Sequence, residues 1–173
     1  MSIFKQICMV IDLQGFIISD VFIPRELALK GVNFESCIEI GNKLKYNLLS
    51  DSDKKNVNYF SNRIHGLPFN ISWHMFNGNS RAIIPNGRSL EIIIMEAYND
   101  MKSSEKCFVG VRNEHAKNYL RQLGIPFIDL TTEKIFQRYK INDCHVHMST
   151  HPYIPECALK NCRDLYDYII YQQ

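Results

Sequence analysis

The apolar positions in the first part of the chain predict three consecutive β-strands. Residues 7–13 form an apolar run broken only by Asp12 near its end, which is typical of a buried strand in the middle of a sheet. Residues 21–32 predict a second strand, with Pro24 as a local irregularity. Residues 36–46 alternate apolar and polar positions and predict a third strand. No helical pattern separates these strands, so we expect an antiparallel meander.

The rest of the chain alternates helical and strand-like patterns, which predicts parallel strands. The expected elements are helices at 51–65, 89–101, 113–124, 132–139 and 156–170, strands at 107–111 and 125–130, and a long loop at 69–88. Ser89 and Asn113 are the expected N-caps of two helices, and Asp51 or Ser52 is expected to cap the first. Gly124 is expected just past the end of the helix at 113–124. Together these elements predict one mixed α/β domain over residues 1–173, with a ribonuclease-H-like sheet flanked by helices.

Composition narrows the class of protein. The chain has 173 residues, of which 46% are hydrophobic and 22% charged, so one domain with a sizeable core is expected. A net charge of +2 is too small for a histone-like binder but leaves room for a local basic face. No apolar run approaches the ~20 residues of a membrane span, and the first residues hold no small-residue cleavage site. We therefore expect an intracellular protein, cytoplasmic or nuclear, without a membrane partner.

The six cysteines fall into two groups. Cys8, Cys37 and Cys107 lie in strand-like runs and are expected to be small buried hydrophobic residues. The other three lie among the last 30 residues, close to three histidines: Cys144, His145, His147, His151, Cys157 and Cys162. This second group is the unusual feature of the sequence, and without a secretory signal it favours a metal site over disulfides.

Several short blocks, in this order and spacing, resemble the DEDDh family of 3′-5′ exonucleases. They are Asp12 at the end of the first strand, Glu26 in the second strand (RELALKG), residues 65–67 (HGL), the strand-helix-strand block 109–130, and residues 157–159 (CAL). The resemblance spans almost the whole chain. It implies a ribonuclease-H-like fold in which Asp12 matches the first acidic residue of the family.

The acidic residues of that family are mostly replaced here. Of the positions at which the family carries its catalytic residues, only Asp12 is kept. The others hold Gln14, Ala116 with Glu114 nearby, Glu156 and Asn161. Phosphodiester cleavage by two metal ions needs several carboxylates to hold cations ~3.5–4 Å apart. We therefore expect no conventional exonuclease chemistry.

A better match is the Maelstrom domain, which resembles these exonucleases but has lost the acidic residues and gained a Glu-Cys-His-Cys zinc site. The matching segments are residues 22–26 (FIPRE), residues 144–147 (CHVH) and residues 157–159 (CAL). The resemblance implies a zinc ion held by Glu26, Cys144, His147 and Cys157. The sequence holds no high-mobility-group box, so a stand-alone relative is expected.

The chemistry of these residues agrees with that implication. Two thiolates, an imidazole and a carboxylate are acceptable tetrahedral zinc ligands, and four protein ligands leave no open position, so such a site is structural. His147 is favoured over His145 and His151 because two intervening residues let it share a metal with Cys144. The alternative is a buried cysteine pair with surface histidines. Cys162 is expected to point elsewhere, into the core.

The sequence indicates candidate RNA-binding residues less strongly than it indicates the zinc ligands. Lys43 and Lys45 would share the polar face of the predicted third strand, where, together with Lys54, Lys55 and Arg63, they would track phosphates. The alternative is an ordinary solvated face. Trp73, in the long loop, would stack on a base or else plug an edge of the core. His65 is expected to be a turn residue, with a catalytic role as the alternative.

Three functions fit these features. The Maelstrom resemblance implies an RNA-binding protein with weak, unconventional cleavage of single-stranded RNA. The second is a non-catalytic interaction module that uses a nuclease fold to bind a protein partner or RNA. The third is a metal-dependent exonuclease with a rewired acidic site. The small net charge favours the second over a processive enzyme, whereas the lysine patch favours the first.

Overall fold

The structure, a computed structural model, describes residues 3–41, 44–67, 69, 82–83, 89–135 and 157–173. Its strands are β1 (Ile7–Ile18), β2 (Val21–Gly31), β3 (Glu35–Glu39), β4 (Ala82–Ile83), β5 (Phe108–Val111) and β6 (Phe127–Asp129). Its helices are α1 (Asp51–Tyr59), α2 (Leu90–Met101), α3 (Glu114–Gln122) and α4 (Ala158–Tyr171). No helix in these ranges is long and apolar enough to cross a membrane.

The strands form one mixed sheet in the order β4-β3-β2-β1-β5-β6. β1 pairs antiparallel with β2, and β2 pairs antiparallel with β3. β5 runs parallel to β1, and β6 runs parallel to β5. The two residues of β4 lie parallel to β3 at the edge. The predicted meander and the predicted parallel strands are therefore confirmed, with β1 in the centre of the sheet.

The central strand β1 divides its side chains between the two faces of the sheet, as the alternation of a strand requires. Met9, Ile11 and Leu13 pack in a core with residues of α2 and α3. Val10 packs on the other face with α4, and Phe16 packs there with α1. The sheet is thus covered by helices on both faces, and Asp12 and Gln14 point to the same face as Val10.

A β-bulge interrupts the pairing of β1 and β2. Gln14 pairs with Glu26. The next residue of β1, Gly15, pairs with Pro24, which leaves Arg25 as one extra residue in β2. The strands approach so closely here that a β-carbon on Gly15 would lie 2.2 Å from the carbonyl oxygen of the residue before Pro24. This bulge is the local irregularity that the sequence predicted at Pro24. Because of the extra residue, the Glu26 side chain points towards α4.

Helix ends follow the sequence signals except at α1. The Ser89 hydroxyl accepts a hydrogen bond from the backbone of α2, and the Asn113 side chain does the same for α3. Gly124 follows α3 with a φ of 66°, a conformation that favours glycine. For α1 the prediction of Asp51 or Ser52 was wrong, because the N-cap is Ser50, whose hydroxyl accepts from the backbone N–H three residues later.

The third strand is shorter than predicted. β3 ends at Glu39, so Lys45 does not lie on a strand but is exposed just before a short 3-10 helix, Tyr46–Leu48. The pairing stops because β2 changes register at Arg25, next to the Glu26–Glu39 pair. The backbone of Arg25 accepts a 2.8 Å hydrogen bond from Ile40, and its guanidinium donates to the Ile40 carbonyl. The chain then leaves the sheet.

The helix predicted at 132–139 does not begin where expected. Residues 131–135 form a turn, and residues 136–139 lie outside the described residues. The Asp129 carboxylate accepts a hydrogen bond from the backbone N–H of Thr131 at 2.9 Å. The backbone N–H of Glu133 returns to the Leu130 carbonyl at 3.2 Å. A side chain that hydrogen-bonds the backbone two residues later favours a turn over a helix.

Candidate functional site

A single carboxylate on β1 is held by two amide side chains. Asp12 is 6% exposed, and its Oδ2 accepts a 2.9 Å hydrogen bond from Nε2 of Gln14. The same oxygen accepts a second 2.9 Å hydrogen bond from Nδ2 of Asn161, which α4 supplies from 149 residues away. Two amides from distant parts of the sequence therefore meet at one oxygen of Asp12, and both are neutral.

This carboxylate lies in a pocket of about 350 Å³ between β1, α4 and the loops that follow β5 and β6. Its polar lining is mixed in charge: Asp12, Gln14, Arg112, Asn113, Thr131, Asn161 and Asp164. Arg112 is exposed and supplies a guanidinium at the pocket. Such a lining can bind a ligand that carries both an anionic group and hydroxyl or amide groups.

The wall of the pocket between β5 and β6 is fixed by hydrogen bonds. The Asn113 side chain donates to the Leu13 carbonyl at 2.7 Å and so ties the start of α3 to β1. The buried Lys117 ammonium donates to Asp129 and to the Thr131 hydroxyl, each at 2.7 Å. The Lys117 hydrogen bond, followed by those from Thr131, lowers the pKa of Asp129 to about 2. This wall is a rigid part of the site.

A second polar cluster lies on the same face of the sheet, around Glu26. This residue is fully buried, and its Oε2 accepts a 3.1 Å hydrogen bond from the backbone N–H of Ala158 at the start of α4. Its Oε1 is 3.2 Å from the sulfur of Cys37 and 3.8 Å from the sulfur of Cys157. The N-terminus of a helix and two thiols thus surround one buried carboxylate.

Glu26 and Cys157, two of the four predicted zinc ligands, lie close together. At a tetrahedral zinc ion with Zn–S of ~2.3 Å and Zn–O of ~2.0 Å, an oxygen ligand and a sulfur ligand are about 3.5 Å apart. The 3.8 Å between Glu26 and Cys157 is close to that separation, although the two residues are 131 apart in sequence. Cys144 and His147 lie outside the described residues. Within the described part of the chain, no three His, Cys, Asp or Glu side chains could hold a metal ion together.

The other predicted site residues are placed as follows. Ala116 is buried in the core between the sheet and α2 and α3, while the neighbouring Asn113 lines the pocket. Cys162 is fully buried and donates a 3.3 Å hydrogen bond to the Ala28 carbonyl, which confirms it as a core residue. Lys54 and Lys55 lie on α1, and Arg63 lies in the helical turn that follows it. Five other predicted residues lie outside the described residues: Lys43, Trp73, His145, His151 and Glu156.

His65 has a structural role in this fold. Its ring is fully buried, and Nδ1 accepts a 3.1 Å hydrogen bond from the backbone N–H of Leu67. Since Nδ1 accepts, Nε2 carries the proton and donates to the Gly15 carbonyl at 2.9 Å. His65 therefore joins the turn after α1 to the part of β1 that faces the bulge, as a turn residue does.

The sequence analysis missed several pocket residues and one cysteine. Arg112, Asn113 and Thr131 directly follow the parallel strands β5 and β6. The carboxyl ends of parallel strands are where ligands bind in open α/β sheets, so this position was a usable signal. Cys37 was expected to be buried, and it is, but its contact with Glu26 depends on the β2–β3 register, which the sequence did not specify.

Because comparisons with known proteins identify no relative, the function is proposed from the geometry described above. A scan against protein-family models, a search of curated proteins and a search of solved structures each find no match for the chain.

The Asp129 contacts predict a loss of stability in acid. The pKa of Asp129 in the folded protein, about 2, is below the value of about 3.9 in an unfolded chain. Its contribution is therefore complete above about pH 4 and is lost as the pH falls towards about 2. Urea unfolding across this range should show a steeper decrease in the free energy of unfolding for the wild type than for Asp129→Asn. Equal slopes would contradict this account of the wall.

Introducing carboxylates around Asp12 should create a dependence on divalent cations. In the double variant Gln14→Glu with Asn161→Asp, two carboxylates replace the two amides that donate hydrogen bonds to Asp12. Each new carboxylate has the same charge as Asp12 and repels it. Each hydrogen bond to a charged group contributes about 1.5–3 kcal/mol, so we expect a loss of about 3 kcal/mol or more in chelator. Added Mn²⁺ should restore stability through binding, by about 2.7 kcal/mol at 100 times its Kd.

Two comparisons control for this double variant. The wild type should gain little from Mn²⁺, and Gln14→Met, which removes a hydrogen bond without adding charge, should be destabilised without rescue by the ion. Thermal unfolding with and without Mn²⁺ measures all three proteins. A double variant that is indifferent to Mn²⁺ would show that this pocket does not have the geometry of a carboxylate cluster.

Proposed function

We propose that this protein is a zinc-stabilised, catalytically degenerate relative of the DEDDh exonucleases that binds single-stranded RNA. The observation that carries the proposal is the Asp12 carboxylate, which Gln14 and Asn161 engage with amides instead of opposing it with carboxylates. The second carboxylate of the pocket, Asp164, is paired with Lys160 at 3.0 Å, and Asp12 with two neutral neighbours does not hold the pair of cations that phosphodiester cleavage in this family needs. Any cleavage of RNA would be weak and would not use that mechanism.

The topology supports the relationship to a nuclease fold. An antiparallel β1-β2-β3 meander is extended beside β1 by two parallel strands, in the order β3-β2-β1-β5-β6. This is the arrangement expected of a ribonuclease-H-like sheet. The pocket lies on the central strand and at the carboxyl ends of β5 and β6, where such a fold would place its active site.

A structural zinc ion is part of the proposal. Glu26 and Cys157, two of the four proposed ligands, meet in a buried site, and Cys144 and His147 would complete the set. Such a metal would supply no reactive group, because four protein ligands leave no open position. It would tie β2 to the start of α4 and so hold α4 against the pocket.

RNA binding is supported by the chemistry of the pocket. The Arg112 guanidinium suits a phosphate, and the amide and hydroxyl groups around it suit the ribose and a base edge. The volume of about 350 Å³ is within the range of small-ligand sites and would admit one nucleotide unit of a strand. Lys43, Lys45 and Trp73 remain proposed contacts along that strand.

The zinc part of the proposal is tested by metal analysis of the purified protein. We expect one zinc ion per chain in the wild type and none in Cys144→Ser. Loss of even about 2 kcal/mol would lower the Tm by roughly 4–8 °C in a protein of this size. Cys107→Ser is the control, since Cys107 lies beside β5 and should keep the metal. Stoichiometric zinc in Cys144→Ser would sink the ligand assignment.

The RNA part is tested by fluorescence anisotropy with a labelled single strand at several salt concentrations. Arg112→Ala should weaken binding and make the slope of log K against log salt shallower by about 0.7, the value for one phosphate contact. The Lys43→Ala, Lys45→Ala double variant should do so by about 1.4. Lys102→Ala is the matched control, because this exposed lysine follows α2 at the opposite end of the sheet.

The outcomes separate the candidate functions. If only the lysine variant loses affinity, the strand crosses the lysine patch and not the pocket. If the wild type binds no RNA even at low salt, where electrostatic attraction is strongest, the RNA proposal fails and a protein-interaction module becomes the better account. Mg²⁺-dependent degradation that Asp12→Asn abolishes would instead identify a rewired exonuclease.

A further inference from the structure

Among the described residues, the Glu26 cluster includes Cys37, which is not one of the four proposed zinc ligands. Cys37 is on β3 and pairs with Ala28 of β2, two residues from Glu26 on the same face of the sheet. This diagonal position across two antiparallel strands brings the two side chains within reach of each other. Cys37 is 7% exposed, and its sulfur lies 3.2 Å from Oε1 of Glu26.

The contacts hold the Glu26 carboxylate at both of its oxygens. Oε2 accepts from the Ala158 N–H at 3.1 Å, and Oε1 accepts from the Cys37 thiol at 3.2 Å. The Cys157 sulfur is farther from Oε1, at 3.8 Å. A carboxylate fixed at one oxygen can still rotate, whereas one fixed at both oxygens from different directions is oriented. Cys37 thus completes the orientation of Glu26 with respect to Cys157.

We propose that Cys37 is a positioning residue of the zinc site: its thiol donates to Oε1 of Glu26 and holds this carboxylate in the orientation in which it meets Cys157. The inference rests on the zinc site of the proposed function and adds a residue to it. Groups that hydrogen-bond a metal ligand orient that ligand, and their loss typically weakens metal binding 10–100-fold. Cys37 acts through Glu26 and is not itself a ligand.

Two variants of Cys37 separate the hydrogen bond from the packing. Valine is close to cysteine in volume and has no donor, whereas serine keeps a donor. Zinc affinity is measured by competition with a chromophoric chelator. We expect Cys37→Val to bind zinc roughly 10–100-fold more weakly than the wild type and Cys37→Ser to recover most of that loss. If the valine variant does not fold, Cys37→Ala removes the donor without adding volume.

A second cysteine provides a matched control. Cys162 is also buried, and its thiol donates a hydrogen bond of similar length, 3.3 Å, but to the Ala28 carbonyl. Cys162→Val removes this hydrogen bond from the same interface between β2 and α4. It should lower stability and leave zinc affinity within a few-fold of the wild type. An equal loss of affinity in both valine variants would mean that general packing, and not the Glu26 contact, sets the affinity.

Cobalt substitution distinguishes a positioning thiol from a metal ligand. The intensity of the thiolate-to-cobalt charge-transfer band at saturating Co²⁺ scales with the number of sulfur ligands. A positioning role predicts the same intensity in the wild type, Cys37→Val and Cys37→Ser. A ligand role predicts that both variants lose intensity, by about one third if the wild type has three sulfur ligands, and that result would overturn the proposal.

Failure of the inference and failure of the zinc site give different results. A wild type that binds no zinc removes the metal site, and the role of Cys37 falls with it. A wild type that binds zinc, together with a Cys37→Val variant of unchanged affinity, leaves the metal site in place and rejects only the positioning role.

Discussion

The fold depends on the burial of the Glu26 carboxylate beneath the start of α4. A fully buried carboxylate is costly unless hydrogen bonds and opposite partial charges compensate for its lost hydration. The backbone N–H of Ala158 and the positive end of the α4 dipole contribute to that compensation, together with the Cys37 thiol and the charge of Arg25. The Ala158 contact ties the start of α4 to β2. From that starting point, three apolar residues of α4 cover β1 and β2: Leu159, Leu165 and Ile169.

The bulge at Arg25 makes that contact available. Without the extra residue in β2, every second side chain along the whole strand would point to the same face of the sheet. With it, Glu26 shares the α4 face with Asp12 and Gln14, while Ile23, beyond the bulge, packs on the same face with Phe16. Gly15 allows this because the two backbones approach too closely for a side chain. The bulge therefore aligns the polar residues of both strands.

Local patterns predicted most elements because each depends on neighbouring residues. The buried run of β1, the amphipathic stripe of α2 and the caps Ser89 and Asn113 are all visible within one segment. The early end of β3 was not predictable, since it follows from a register change in another strand. The same holds for Cys37, whose neighbour is set by the pairing of β2 and β3. The resemblance to the Maelstrom domain named Glu26 and Cys157 as two ligands of one expected site, but neither it nor the sequence pattern pointed to Cys37.

The two polar clusters are joined by one turn of helix. Cys157 is the N-cap of α4 and lies beside Glu26, and its carbonyl accepts the backbone N–H of Asn161 at 2.9 Å. Asn161 in turn donates to Asp12. Cys157 and Asn161 are about one turn apart, because an α-helix repeats every ~3.6 residues. A displacement of Cys157 therefore moves the Asn161 side chain by a similar amount. Whatever holds Cys157 in place, the proposed zinc ion included, thereby also sets the position of the amide that engages Asp12. The structural cluster and the pocket are thus mechanically coupled through the first turn of α4, which is a physical reason for the pocket to keep its shape.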